Sequence, residues 1–145
     1  MRALKLLGWC LAVLAGLYVV FVVLFEAVFL GHYQPTLEQT GIPMLVITTK
    51  DADGNSDERR LARIEVDGRL YVSAHHWPRG WYRRATENPS VTVDIEGVAA
   101  NYTAVVVEKG AEFDKVSAAL PLGFVVRLLM GFPPEREILR LDPVG

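Results

Sequence analysis

The chain is poor in the residues that build disulfides and metal centres, with one cysteine, Cys10, and three histidines in 145 residues. A lone thiol closes no intramolecular disulfide and excludes a cysteine metal cluster. A basic excess is also lacking. Beyond residue 30 the chain carries 13 basic and 16 acidic side chains, which excludes a general nucleic-acid binder whose affinity rests on neutralising phosphates. The sequence has no glycine-rich phosphate loop, dinucleotide fingerprint or nucleophile elbow. Internal repeats and low-complexity blocks are absent as well, so the length allows one ordinary domain plus a short appendage.

The appendage is a long apolar run. Leu6 to Leu30 holds 25 residues with one charged side chain, Glu26. About 20 apolar residues at 1.5 Å rise cross the hydrocarbon core of a bilayer, so the run is expected to span as a single helix. A cleavable signal would have a shorter apolar core followed by a small-x-small site, whereas Gly31-His32-Tyr33-Gln34-Pro35 follows here, so the expectation is an uncleaved anchor. Arg2 and Lys5 precede the run and no Lys or Arg follows it before Lys50. This bias places the domain on the non-cytoplasmic face. Glu26, His32 and Tyr33 read as interfacial residues. The organisation is then an anchor over 1–30, a linker over 31–41 and a domain over 42–145.

Within the domain, period-2 patterning dominates. Met44 to Thr49 is an apolar, β-branched run, and Asp51 to Asp57 is a polar turn. Arg60 to Val66 alternates, with Ala62, Ile64 and Val66 on one face. Asp67-Gly68 is a hairpin signal before Arg69 to Ala74. Trp81 to Asn88 suits a short helix ended by Asn88-Pro89. Val91 to Ile95 and Val98 to Glu108 form a further hairpin, Ala111 to Leu120 reads as helix, and Arg136 to Leu141 gives a last strand. Leu120 to Phe132 is apolar apart from Arg127 and too short to span, which predicts a buried or membrane-lying helix. The expected fold is α+β, mainly β with helices: a six-stranded antiparallel rolled sheet or barrel preceded by one transmembrane helix.

Seven of the domain's arginines fall between positions 59 and 84. Their forks match phosphate and carboxylate oxygens, although a solvated face balancing Asp51, Asp53, Asp57 and Glu58 explains them equally well. His75-His76-Trp77-Pro78-Arg79-Gly80-Trp81-Tyr82 is the densest constellation, offering flat surfaces and donors to an aromatic ligand. Trp81 and Tyr82 fit a plug at the barrel end just as well. Adjacent histidines in a strand point to opposite faces, so no shared metal is expected. Asn101-Tyr102-Thr103 matches a glycosylation sequon, a triplet common by chance.

In their order, the Leu45 to Thr49 strand, Arg59/Arg60, Asp67-Gly68-Arg69-Leu-Tyr-Val, Pro78-Arg79-Gly80-Trp81-Tyr82 and Asn88-Pro89-Ser-Val-Thr-Val resemble the deazaflavin (F420)-dependent nitroreductase/quinone reductase family of split β-barrel flavin-binding proteins. The resemblance covers roughly Leu45 to Val107. It implies a cofactor, F420 or alternatively FMN, held in a groove with basic residues on its phosphate-bearing tail. Residue by residue it implies cofactor contacts from Lys50, Arg59, Arg60, Ser73, Ala74, His75, Trp77, Trp81 and Tyr82, and pairing as a homodimer of the kind frequent in that fold. The chain departs from the family in one place. A Gly-Arg-Lys-Ser-Gly type turn is replaced by Lys50-Asp-Ala-Asp-Gly-Asn-Ser-Asp-Glu58, whose four acids oppose a polyanionic tail. A second tension is topological, because reduced deazaflavin is a cytoplasmic cofactor and the flanking charges point the domain outward.

The reading that follows is a membrane-anchored oxidoreductase passing hydride or electrons to a lipophilic quinone- or nitroaromatic-like acceptor. His75, His76 and Tyr102 are the candidates to donate the accompanying proton. The alternatives are a catalytically silent binding module that has lost its cofactor and a small haem-binding barrel with His75 or His76 as axial ligand.

Overall fold

The computed structural model describes residues 2–30, 41–75 and 79–145. The apolar run forms helix α1 (Arg2–Leu24) continued by a π-helical turn (Phe25–Leu30). Its segment Lys5–Leu24 is long and apolar enough to cross a membrane, and none of it is buried within the protein. The predicted linker, apart from Gly41, lies outside the described residues.

The domain contains strands β1 (Met44–Lys50), β2 (Ser56–Ala62), β3 (Ile64–Val66) and β4 (Arg69–Ala74), then helix α2 (Gly80–Glu87). Strands β5 (Ser90–Ile95) and β6 (Val98–Val106), helices α3 (Ala111–Ala119) and α4 (Phe124–Leu129) and strand β7 (Glu137–Pro143) follow. All strand pairs are antiparallel, in the order β2-β1-β5-β6-β7-β4-β3. The sheet therefore has seven strands, not six. The run expected to form one strand over Arg60 to Val66 is divided at Arg63, whose amide adds a last bond to the β1–β2 register by donating to Pro43 O at 2.8 Å before the chain passes to its pairing with β4. Period 2 holds across the division. Leu61 faces the inner core and Ile64, three positions on, faces the α3 side, so the predicted alternation is kept while the partner strand changes. The sheet curls because β2 and β3 are its two opposite edges and are joined by this one residue.

Curling divides the apolar residues into two cores. Leu45, Ile47, Leu61, Val72, Val91, Val93, Leu139 and Leu141 fill the inside, where Trp81 and Ala85 of α2 join them. On the other face of β4 and β7, Tyr71 and Ile138 pack with Phe113 and Val116 of α3. The hairpin at Asp67-Gly68 is present, with φ of 53° and 72°, the doubly positive geometry that a two-residue turn between twisted strands demands. The segment from Leu120 to Phe132 is helical only over α4, and α4 is exposed rather than buried.

Leu139 is fully buried at the centre of the inner core. Leu139→Ala is expected to cost about 2–5 kcal/mol, the range for a large core side chain whose site cannot collapse. Chemical denaturation of the full chain in detergent measures it.

Candidate functional site

Alternation along β4 sorts the predicted residues. Ser73 lies opposite Ile138 on the α3 side, and His75 follows two residues later on that same face, with Ser73 Oγ 3.4 Å from His75 Nδ1. Ala74 faces the barrel interior, in the same core cluster as Trp81. Trp81 is 4% exposed, and its ring meets that of Tyr82 edge-on at 6.0 Å. Its place is that of the barrel-end plug. The Tyr82 hydroxyl donates to Glu137 Oε2 at 3.3 Å, and burial, then Glu137, pushes its phenol up. His76 and Trp77 lie outside the described residues.

The arginines of β2 are divided in the same way. Arg59 lies opposite Ile47 and shares its inward face, whereas Arg60 lies opposite Val46 on the outer one, the face to which Lys50 belongs by alternation. Arg59 Nε is sealed from solvent without a hydrogen-bond partner among the described residues. Arg60 lines an open hollow of about 520 Å³ with Pro43, Glu96 and Gly97.

The acidic turn keeps the charge of Asp51 and offsets that of Asp57. Asp51 accepts hydrogen bonds from the amides of Asp53 and Asn55 and from Asn55 Nδ2, at 3.0, 2.8 and 3.0 Å. The Asn55 bonds above all hold its carboxyl below the ordinary carboxylate range. Asp57 is paired with Arg84. Arg84 Nε also donates to Thr49 Oγ1 at 3.1 Å, so one guanidinium from α2 satisfies a fully buried hydroxyl and one of the four acids. The sequence reading missed this unit, yet its signal was present, because Thr49 continues the inward phase of Leu45 and Ile47.

The groove beside His75 was only partly anticipated. His75, Phe113, Ser117, Arg127, Pro133 and Arg136 are among the residues around a space of about 520 Å³ between α3, α4 and the approach to β7. Ser117 Oγ is buried there without a hydrogen-bond partner among the described residues. Arg136 Nη1 donates to Leu120 O at 2.7 Å, and burial lowers its pKa. Arg79 closes one side by donating to Pro134 O and Glu135 O at 2.8 and 2.9 Å. An imidazole, a hydroxyl and two guanidiniums, with the carboxylates of Asp114 and Glu135 around the same space, can hold a flat polar molecule against an apolar wall and deliver a proton to it. Tyr102 is not part of this group. It pairs with Pro143, while Ala74 pairs with Glu137 at the other end of β7, roughly 20 Å away at about 3.3 Å per residue.

A second polar cluster holds α3 to the sheet. Glu112 Oε1 accepts from Tyr71 Oη at 2.9 Å and from Arg140 Nη1 at 3.1 Å, and Arg140 also forks onto Asp142 at 2.8 and 3.0 Å. The Tyr71 hydroxyl first, and Arg140 second, hold Glu112 below the usual carboxylate range.

Comparison of the fold with solved structures gives matches over most of the chain at low identity. The heme storage protein HutZ from Vibrio cholerae matches at TM-score 0.55 and 19% identity, over 77% of this chain and 89% of that one. An F420-H2 dependent reductase matches at TM-score 0.51 and 20% identity, over 69% and 94%. A pyridoxamine 5′-phosphate oxidase-like protein from Listeria innocua matches at TM-score 0.51 and 17% identity, over 78% and 91%. The fold is a split β-barrel. No protein-family model matches the sequence, and no curated protein sequence matches it.

Two substitutions test these clusters. Arg84→Ala removes the donor to Thr49 Oγ1, which keeps its longer bond to Asp57 O at 3.4 Å, and leaves Asp57 without its cation. It is expected to cost about 1.5–3 kcal/mol, the range for a hydrogen bond to a charged group, read as a lower denaturant midpoint. Because Glu112 holds its proton less tightly folded than unfolded, its contribution is complete above its ordinary value of 4.5 and is lost as pH falls through the lowered folded value. Glu112→Gln is therefore expected to be less stable than the parent at neutral pH and to lose less on acidification to about pH 3, measured by thermal melts at the two conditions.

Proposed function

We propose that the chain is a membrane-anchored split-barrel oxidoreductase that uses F420 or FMN to reduce a lipophilic acceptor of quinone or nitroaromatic type. The observation that carries the reading is the fold, matched over nearly the full length of a reductase and an oxidase-like protein. The apolar helix α1 supplies the anchor.

The residues present fit an anionic cofactor. Arg59, whose sealed Nε has no hydrogen-bond partner among the described residues, stands on the inward face of edge strand β2, and Arg60 of β2 and Lys50 of the neighbouring β1 stand on the outer face of the sheet. A phosphate-bearing tail along that open edge reaches both sets. Of the acids that would oppose it, Asp57 is paired with Arg84, while Asp51 stays ionised within its own turn. When bound, the reduced flavin or deazaflavin supplies the hydride. The protein's part is to position the acceptor against the apolar wall of the His75 groove and to hold a proton on the imidazole, whose Nδ1 is oriented by Ser73 Oγ. Arg127 and Arg136 orient anionic or carbonyl oxygens of the acceptor.

A second reading, haem binding with His75 as axial ligand, is favoured by one arrangement: a histidine sharing a groove with two arginines, in a chain whose fold matches HutZ. Titration of the full chain in detergent with F420, FMN and hemin separates the readings. Saturable quenching of F420 or FMN fluorescence, weakened about tenfold by Arg59→Ala through the loss of one charge-assisted contact, is the expected result. A Soret band that His75→Ala abolishes replaces it with the haem reading. No binding of any of the three by the folded chain overturns both and leaves a silent binding module.

A further inference from the structure

Helix α4 and the turn after it are apolar and exposed. Phe124 and Val125 are 70% and 65% exposed, and Val126, Leu128 and Phe132 are also open, with the rings of Phe124 and Phe132 5.8 Å apart. Scattered exposed apolar residues are ordinary, whereas a contiguous apolar surface marks a contact site. This surface is continuous with the apolar exterior of α1. Tyr18 Oη donates to Leu128 O at 2.6 Å. Gly131 approaches Val22 so closely that a Cβ placed on it would lie 2.7 Å from Val22 Cγ1. The contact fixes α4 beside the second half of the spanning segment, at the level where that helix meets lipid.

We infer that the α4 segment, Gly123 to Phe132, is a second membrane-embedded element, with the lipid bilayer as its partner. The inference rests on α1 being a membrane span. Hydrogen bonding sets the depth. At its C-terminal end the helix closes in a Schellman motif, with Phe132 N donating to Arg127 O at 2.8 Å and Gly131 N to Leu128 O at 3.1 Å. Gly131 holds the left-handed position, φ 69°. The carbonyls of Val126, Arg127 and Leu128 are thus satisfied without water, Leu128 O twice, as an apolar setting favours. At the other end no side chain caps the helix, so its first amides must reach water or headgroups. Those two ends together place α4 in the interfacial layer, roughly 5–10 Å into the headgroup and acyl boundary. There Arg127 can extend toward phosphates while the phenylalanines face the acyl chains.

This placement bears on the groove beside His75. Leu122, Arg127 and Pro133, which help to line it, belong to or adjoin the embedded segment, so the groove opens at the lipid surface. An acceptor dissolved in the membrane then enters sideways from the bilayer without crossing water. The segment's lipid contact is independent of which cofactor the barrel holds.

The test uses the full chain with Cys10→Ser, carrying one cysteine at a time for an environment-sensitive fluorophore, in phosphatidylcholine/phosphatidylglycerol vesicles. Positions are Phe124, Leu14 in α1 and Val98, an exposed residue beside the Glu96-Gly97 turn. Quenchers are aqueous iodide and a lipid with a nitroxide near the top of its acyl chain. The expected result is that the Phe124 probe is quenched by the lipid nitroxide at least about twofold more than the Val98 probe, and less by iodide, as an interfacial depth requires. A Phe124 probe that behaves like the Val98 probe while Leu14 is shielded from iodide overturns the inference and keeps the anchor. A Leu14 probe open to iodide overturns the anchor reading itself. Protection of Phe124 from both quenchers identifies a protein partner or a second copy on α4 and also overturns the inference.

Discussion

The domain depends on the chain crossing from one edge of its sheet to the other at Arg63. β2 pairs only with β1 and β3 only with β4, and these pairs lie at opposite ends of the strand order. Two consecutive strands can occupy opposite edges only if the sheet rolls until the edges meet. The bond from the Arg63 amide to Pro43 O gives the diverted backbone a partner at the crossing, as a buried amide requires. Rolling creates the enclosed inner core, and that core needs a cover where the strands splay. Trp81 and Ala85 of α2 provide it. The same rolling turns the other face of β4 and β7 outward, which gives α3 its apolar bed.

Burial of both sheet faces along β4 and β7 has a consequence for chemistry. There a side chain belongs to one core or the other, so residues adjacent in sequence serve different surroundings, while β6 keeps its outer face open. Ser73 and His75 go to the α3 side, and Ala74 joins Trp81 inside. Arg59 and Arg60 part in the same manner. Only edges and strand ends escape this division. That is why the charged groups able to meet a ligand collect along edge strand β2 and around the end of β4, where the helices leave the sheet uncovered.

Much of this was legible in period-2 patterning. The strands around Ile47, Val72 and Val93, the Asp67-Gly68 turn, the helix beginning near Trp81 and the long apolar N-terminal run all follow from local sequence, because each is decided by residues close in the chain. The break at Arg63 was not, since the alternation keeps its phase across it and the two halves differ only in which strand lies opposite them. The engagement of Asp57 by Arg84 escaped for the same reason: it joins residues 27 apart whose proximity depends on α2 folding back over β1 and β2. For Asp51 the signal was local, since Asn55 lies four residues on, but a string of acids reads as bare charge until the turn that occupies one of them is seen. Arg127 looked like an interruption of an apolar segment and Arg136 like the first residue of a strand, and their convergence near His75 is a product of the loop between α4 and β7.

The fate of the Leu120 to Phe132 segment follows from a competition between burial sites. The outer face of β4 and β7 has room for one helix, and α3 fills it with Phe113 and Val116. Another apolar helix must then find a partner elsewhere, and α1 is the apolar surface within reach. Tyr18 and Gly131 supply what that contact needs, a donor for a helix-end carbonyl and a position without a side chain. The remaining apolar face of α4 is too large to be left to water at no cost, since each exposed phenylalanine or valine forgoes about 1.5–3 kcal/mol relative to burial. In the membrane-embedded reading of α4, lipid beside α1 removes that cost without further protein. The geometry that satisfies α4 also sets the orientation of the barrel, because the groove at His75 is walled by the same segment and must face wherever that segment goes.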